Sequence, residues 1–185
     1  PTFTESLKDV IIGLNKPLSL SCVVGGMPIP DVTWYKNEQI FASKYVTYES
    51  RNAKYTIEST TETTAATYRC QAINEMGESN CECTVIVQEK PVITIDEKLI
   101  SQNLRVQSQY EVTAQISGYP LPKVQWYKDN IKLENNSEYS IETTTTTTKL
   151  FIKSIERHHS GKYTVKAKNV AGVAVVDLSV TVIDK

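Results

Sequence analysis

Apolar and polar residues alternate along several short segments of this chain. The clearest segments are residues 18–22, 112–116, 163–165 and 176–182. A period of two is expected for half-buried antiparallel strands, and turn-forming pairs such as Gly25-Gly26 separate the segments. No window shows a convincing helical period. The pattern therefore predicts an all-β fold of short antiparallel strands packed as a sandwich.

A long motif occurs twice. Residues 26–36 read G-M-P-I-P-D-V-T-W-Y-K, and residues 118–128 read G-Y-P-L-P-K-V-Q-W-Y-K. The two tryptophans are 126 − 34 = 92 residues apart, which is too long for a solenoid repeat and suits a whole small domain. We therefore predict two tandem domains, residues 1–88 and 92–185, joined by a short linker at residues 89–91.

Composition excludes some classes of function. The 185 residues carry a net charge of −1, so the electrostatic drive towards nucleic acid is missing. No apolar run approaches 18 residues, so we expect no membrane span. The chain starts inside a predicted strand, and we expect it to be a segment of a longer protein.

Four residues of the first copy have a characteristic spacing. Cys22 precedes Trp34, and Tyr68 lies two residues before Cys70. An A-x-N-x-x-G turn follows at residues 72–77. The second copy repeats the pattern, with its turn at residues 167–172, but replaces both cysteines; its equivalent residues are Ala114, Trp126, Tyr163 and Val165.

This combination resembles the intermediate-set (I-set) immunoglobulin fold over nearly the whole chain. The Trp-Tyr-Lys sequence followed by Asn37 or Asp129 is similar to the repeats of titin, twitchin and related giant muscle proteins. The resemblance implies that the tryptophans are buried between two sheets and that Tyr68 and Tyr163 form tyrosine corners. The family often has Asp four residues before this Tyr. Because Thr64 and His159 stand there, we expect the corners to lack that support.

The cysteines bear on the cellular compartment. Cys22 and Cys70 should face each other across the sandwich, where a disulfide is possible. The second copy does without that pair, which favours reduced thiols in a cytosolic setting. Cys81 and Cys83 lie two apart in the last strand of the first copy, and we expect them to be small buried apolar side chains. Their C-x-C spacing does not suit a zinc site.

Two sets of surface residues are candidates for contacts between domains. Immunoglobulin topology, with a linker of about three residues, predicts that six residues lie near the joint and restrict bending of an elongated pair; they are Leu14, Lys90, Pro91, Tyr119, Leu121 and Val170. Three apolar residues in predicted surface loops of the first copy form a candidate docking surface for a preceding domain; they are Met27, Ile29 and Met76.

Other motifs carry little chemistry. His158 and His159 are adjacent in a predicted turn, so we expect them to point apart and to be solvated. The threonine run at residues 143–148 should extend a hairpin. One glycosylation sequon, at residues 135–137, is close to a chance match. No catalytic or phosphate-binding constellation is found, so we expect no enzyme activity, no cofactor and no metal.

Two functional hypotheses remain. In the first, the chain is a structural and interaction module of a giant intracellular muscle protein. It would be a monomeric spacer that contacts neighbouring immunoglobulin or fibronectin-type domains and sarcomeric filament proteins. In the second, it is an extracellular adhesion or receptor fragment that binds through its loops and has Cys22 and Cys70 oxidised. The missing second cysteine pair favours the first.

Overall fold

The computed structural model describes residues 1–184 and divides into two compact units. The first unit runs from Pro1 to Gln88, and the second begins at Glu89. Apart from three short 3-10 turns, at Glu62–Thr64, Glu97–Leu99 and Arg157–His159, every regular element in the described residues is a β-strand. No helix among them is long and apolar enough to cross a membrane.

The first unit is a sandwich of two sheets. Its strands are β1 (Thr2–Glu5), β2 (Val10–Ile12), β3 (Leu18–Gly25), β4 (Asp31–Lys36), β5 (Gln39–Ile40), β6 (Val46–Glu49), β7 (Asn52–Ile57), β8 (Ala66–Asn74) and β9 (Gly77–Val87). One sheet has the order β1-β3-β7-β6 and the other β2-β9-β8-β4-β5.

The second unit repeats this arrangement. Its strands are β10 (Glu89–Thr94), β11 (Ser101–Arg105), β12 (Tyr110–Tyr119), β13 (Lys123–Lys128), β14 (Ile131–Lys132), β15 (Tyr139–Thr143), β16 (Thr147–Ile152), β17 (Gly161–Asn169) and β18 (Gly172–Ile183). The sheet orders are β10-β12-β16-β15 and β11-β18-β17-β13-β14.

Alternation along the strands builds the core of each unit. In β3 and β12 every second residue is buried, and the residues between them are exposed or half-buried. The buried set belongs to two facing sheets, so each unit encloses one apolar layer. The predicted all-β fold with two sandwiches is confirmed.

The predicted linker lies in a strand. Strand β9 ends at Val87 and β10 begins at Glu89, so residues 89–91 belong to β10, where Glu89 pairs with Tyr119. The pairing shifts register between Glu89 and Val92, and the buried Pro91 lies in this irregular stretch. A proline has no N–H to donate, which is why it is tolerated at such a bulge. Only Gln88 separates the two strands.

The glycine of the repeated motif has a steric role. Gly26 and Gly118 have φ values of +131° and +136°, a region that side chains disfavour. A Cβ on Gly118 would stand 3.0 Å from the Cα of Pro91, and one on Gly26 would stand 3.1 Å from the Cα of Pro1. Glycine therefore lets the first strand of each unit pass close to the turn.

Candidate functional site

The second and last strands of each unit are joined by a parallel ladder, which we call the terminal-strand ladder. In the first unit β2 pairs with β9 over three residues, with Val10 opposite Val85 and Ile12 opposite Val87. The N–H of Gln88 donates to the carbonyl of Ile12 at 2.9 Å, which extends the ladder by one bond.

The ladder of the second unit is longer. Strand β11 pairs with β18 over five residues, from Ser101 opposite Ser179 to Arg105 opposite Ile183. Two further bonds close its ends, since Ser179 N–H donates to Ile100 O at 2.8 Å and Val106 N–H donates to Ile183 O at 3.2 Å. Strands that run parallel must slide past each other to separate lengthwise, so these bonds would be loaded together.

The predicted core residues of the first unit are all buried. Cys22, Tyr68 and Cys70 are inaccessible to solvent and Trp34 is nearly so. The indole N–H of Trp34 has no hydrogen-bond partner among the described residues. This leaves one buried donor unsatisfied in the centre of the first sandwich.

The equivalent residues of the second unit are also buried. Ala114, Tyr163 and Val165 are inaccessible, and Trp126 is nearly so. Here the indole N–H donates to the hydroxyl of Thr148 at 2.9 Å. The threonine run thus supplies a core acceptor as well as the hairpin turn between β15 and β16.

The four cysteines of the first unit are free thiols. A hydrogen bond with Cys70, together with burial, raises the pKa of Cys22 to about 12, although its bond with Cys81 acts in the opposite direction. Burial raises the pKa of Cys83 to about 11. Since the thiolate is the reactive form, these thiols should react slowly while the unit is folded.

Both tyrosine hydroxyls bond back to the chain. Tyr68 donates to the carbonyl of Thr64 at 2.7 Å, and Tyr163 donates to the carbonyl of His159 at 2.8 Å. Burial raises the pKa of both phenols. Each tyrosine therefore fixes the 3-10 turn that precedes its strand.

No Asp stands four residues before either tyrosine, as expected, but other side chains support both corners. Thr64 Oγ1 accepts the backbone N–H of Thr61 at 2.9 Å, and His159 Nδ1 accepts that of Glu156 at 2.8 Å. Both side chains are buried beneath the turn. A hydroxyl or an imidazole nitrogen can accept a backbone N–H as a carboxylate would. The residue type at this position therefore does not predict whether the turn is capped.

The prediction that His158 and His159 point apart is wrong. Their ring centroids are 4.1 Å apart, and the Nε2 atoms lie 3.0 Å and 3.2 Å from Oε2 of Glu138. His159 is only 1% exposed. The capping bond pulls this ring inward beneath the turn, and Glu138, from the loop before β15, reaches both rings. The separation of 20 residues between Glu138 and His158 does not predict that contact.

These three residues form the one group within residues 1–184 whose ligand atoms are close enough to hold a metal ion. The hydrogen bonds argue against that use. Because Nδ1 of His159 accepts a backbone N–H, the proton of the neutral ring lies on Nε2 and is directed at Glu138. A metal at Nε2 would need that nitrogen unprotonated and would place two donors face to face at Nδ1. The group is better explained as a support of the turn.

The predicted docking residues lie at one end of the first unit. Met27, Ile29 and Met76 are 74%, 61% and 76% exposed. Asn74 organises the loops there, since its side chain donates to Pro28 O at 2.9 Å and accepts from Met76 N–H at 2.9 Å. These apolar side chains are presented by a bonded framework.

The residues predicted for the joint fall into two groups. Tyr119, Leu121 and Val170 belong to loops or strand ends of the second unit, where Leu121 and Val170 are exposed. Asn169 ties this region to the start of β10, because its amide donates to Glu89 O at 2.7 Å and to Pro120 O at 3.0 Å.

The other three predicted joint residues lie near the strand ends. Lys90 is exposed and Pro91 is buried, both within β10. Leu14 is half-buried in the turn after β2. Each is described within its own unit, and their part in a joint stays a prediction.

Comparison with known proteins gives the family and a likeness to muscle proteins. The model of the immunoglobulin I-set domain matches residues 1–87 and 93–182. Titin of Drosophila melanogaster is 45% identical over 185 residues, all of this chain and 1% of that protein. Smooth-muscle myosin light chain kinase of Gallus gallus is 26% identical over 199 residues, 98% of this chain and 10% of the kinase.

A solved structure supports the fold. The crystal structure of domains A168–A170 from titin matches with a TM-score of 0.83 at 24% identity, over 99% of this chain and 66% of that one. The chain spans only a small fraction of the length of the two curated relatives named above. Two matches to one family model, each covering a sandwich with a buried tryptophan and a tyrosine corner, lead to one conclusion: the chain belongs to the immunoglobulin I-set family and resembles the tandem repeats of titin.

Proposed function

We propose that the chain is a mechanical spacer and scaffold within a giant sarcomeric protein of muscle, in the cytoplasm. The observation that carries this proposal is the terminal-strand ladder, which is present in both units. A force applied through the two ends of a unit shears this ladder, so several hydrogen bonds must break in one step. The likeness to titin over the whole chain supports the same role.

The spacer role depends on the connection between the units. Only Gln88 lies between the end of β9 and the start of β10, and neither side of it is rich in glycine or serine. A connection of this length leaves few free backbone torsions. We therefore propose that the pair bends little and keeps a set length.

Solution scattering tests the spacer role. A flexible linker of about six Gly and Ser residues, inserted between Gln88 and Glu89, should broaden the distribution of distances within the molecule. An insertion of the same length in the exposed turn at Thr145 is the control and should not broaden it. If the unmodified chain already shows as broad a distribution as the linker variant, the spacer role is lost.

The exposed residues Met27, Ile29 and Met76 are proposed as a docking surface for a neighbouring immunoglobulin or fibronectin-type domain of the same parent chain. Their exposure and their support by Asn74 favour this use. In a longer chain that includes the preceding domain, the Met27 and Met76 methyl resonances should shift and lose solvent contact. Unchanged methyl signals would remove this proposal.

The cytoplasmic location has its own test. Thiol titration of freshly purified, denatured protein from its natural source should find four free thiols, because reduced cysteines are expected in a cytosolic protein. Two free thiols would instead favour the extracellular alternative, with Cys22 and Cys70 oxidised.

A further inference from the structure

Three lysines share the outer face of the second sheet of the second unit. Lys123 on β13 lies directly opposite Lys168 on β17, and Lys166 lies two residues along β17, opposite Gln125. All three lysines are exposed. Together with Val173 and Val175 on β18 they form a surface that we call the lysine face.

The lysines are unbalanced by acidic neighbours. Like charges directly opposite each other across a strand pair are unfavourable. Within residues 1–184, none of the three lysines lies within 4.0 Å of a carboxylate, although Lys128, Lys132 and Lys149 of the same unit do form ion pairs. Asp177, in the adjoining row, is held by the hydroxyl of Thr164 at 2.7 Å. The face therefore presents three ammonium groups to solvent.

Apolar side chains border the lysines. Val173 is opposite Lys168 and Val175 is opposite Lys166, and these valines are 48% and 53% exposed. A surface groove of about 550 Å³ is lined by the three lysines together with Gln125, Asn169 and Val170, and Val170 is 77% exposed. Charged and apolar side chains thus lie side by side on this face of the sheet.

The first unit shows that the fold does not require this arrangement. The row that corresponds to Lys123, Lys168 and Val173 contains Asp31, Ile73 and Glu78. Side chains of that face bond to each other, as in the contact of 3.0 Å from Gln71 Nε2 to Glu78 Oε2. The same sheet position is therefore acidic and internally bonded in one unit, and basic and unpaired in the other.

We propose that the lysine face binds an extended acidic segment of another protein, with carboxylates on the lysines and aliphatic side chains over the valines. Charge complementarity favours an acidic partner. The exposed valines favour a peptide, because a phosphate or a lipid headgroup has no aliphatic side chain to pack against them. Because single exposed ion pairs contribute little, the three lysines and the apolar contact must act together. Binding at the lysine face does not depend on the spacer role.

Fluorescence anisotropy of the whole chain tests this proposal. The probe is a labelled, end-capped peptide of alternating glutamate and valine, with the lysine–valine peptide as its charge-inverted counterpart. The triple variant Lys123→Glu, Lys166→Glu, Lys168→Glu should weaken binding at least tenfold. The matched control, Lys54→Glu, Lys98→Glu, Lys153→Glu, changes net charge equally at exposed lysines elsewhere and should change the affinity less than twofold.

Folding of each variant is checked by circular dichroism. If the glutamate variant fails to fold, the neutral variant Lys123→Gln, Lys166→Gln, Lys168→Gln replaces it and should also lose binding. Raised salt should weaken binding of the wild type, because the charges are solvent-exposed. Replacing Val173 and Val175 by serine should weaken binding of the glutamate–valine peptide. The same change should weaken binding of a peptide of glutamate alone to a smaller degree.

Four results would overturn the proposal. They are an absence of peptide binding, an equal loss in the face and control variants, binding to phosphatidylserine vesicles with none to the peptide, and association of the chain with itself through this face in sedimentation. The last two would assign the face to a membrane surface or to a second copy, whose acidic first-unit face is the complementary one.

Discussion

Ala53 and Thr148 occupy the same position in the two sandwiches. Ala53 lies opposite Cys22, and Thr148 lies opposite Ala114, which is the equivalent of Cys22. The hydroxyl of Thr148 therefore accepts the N–H of Trp126, whereas Ala53 has no acceptor to offer Trp34. The two copies fill one central space in different ways, with thiols in the first unit and a hydrogen bond in the second.

The variant Thr148→Val measures this bond, since it removes the hydroxyl at nearly constant volume. We expect the second unit to lose about 1–3 kcal/mol of unfolding free energy, because a buried donor is left without a partner. Denaturant unfolding followed by the fluorescence of Trp126 gives the value. Thr145→Val, in the exposed turn, is the control and should stay within about 0.5 kcal/mol of wild type. Equal stability of the two variants would contradict the assigned role.

His159 makes the second unit sensitive to pH. Burial, followed by the charge of His158, lowers the pKa of His159, while the facing carboxylates of Glu138 and Glu156 act in the opposite direction. A lowered pKa in the folded state means that the unfolded state binds the proton first as pH falls. The stabilisation is therefore complete above about pH 6.5 and is lost as pH falls below it.

Amide hydrogen exchange resolved by residue tests this dependence between about pH 7.5 and 5. The global opening free energy of the second unit should fall over this window. His159→Thr copies the residue of the first unit, keeps an acceptor for the N–H of Glu156, and should flatten the slope. The window lies above the range of Glu138, whose pKa is lowered by its bond with His158. An unchanged slope in His159→Thr would exclude His159 as its origin.

At the residue scale the sequence was informative only where one residue type has one role. The burial of the tryptophans and the corners formed by the tyrosines of β8 and β17 were implied by the family resemblance. The caps formed by Thr64 and His159 do not, because several residue types can accept the same N–H. The contact of Glu138 with two histidines depends on how a loop folds over a turn, which no local pattern encodes.

At the scale of elements the two terminal-strand ladders differ in length. The first unit has three paired residues and the second has five. Alternation predicted the strands β9 and β18 themselves. It could not give the length of pairing, which depends on where the chain leaves the first sheet to join the second. The same limit explains why residues 89–91 seemed to be a linker, since Pro91 lies within the described strand β10 at a register shift.

Proline variants test the two ladders separately. Val106→Pro removes the N–H that donates to Ile183 O, and Gln88→Pro removes the one that donates to Ile12 O. In single-molecule pulling, each should lower the unfolding force of its own unit and leave the other peak unchanged. The residue before each proline is in, or next to, a strand, a conformation that proline accepts. Lowering of both peaks by one variant would show that the ladders are not separate.

At the scale of the whole molecule the chain contains two folding units, each with its own core and its own ladder. The repeat of 92 residues predicted this number, because two copies of one motif fill the chain. The asymmetry between the copies was not predictable from the repeat. It arises from substitutions at equivalent positions, such as Glu78 and Val173, whose effect depends on their cross-strand neighbours.

The central claim is that each unit resists force through its terminal-strand ladder, and stretching the chain by its two ends tests it most directly. We predict two separate, cooperative unfolding events, each lengthening the molecule by about 300 Å, as expected for a unit of this size at about 3.5 Å per residue. The event at higher force should belong to the second unit, whose ladder has five paired residues, and Val106→Pro should lower it. Gradual extension without force peaks, or a stronger first unit that is insensitive to Gln88→Pro, would contradict the account.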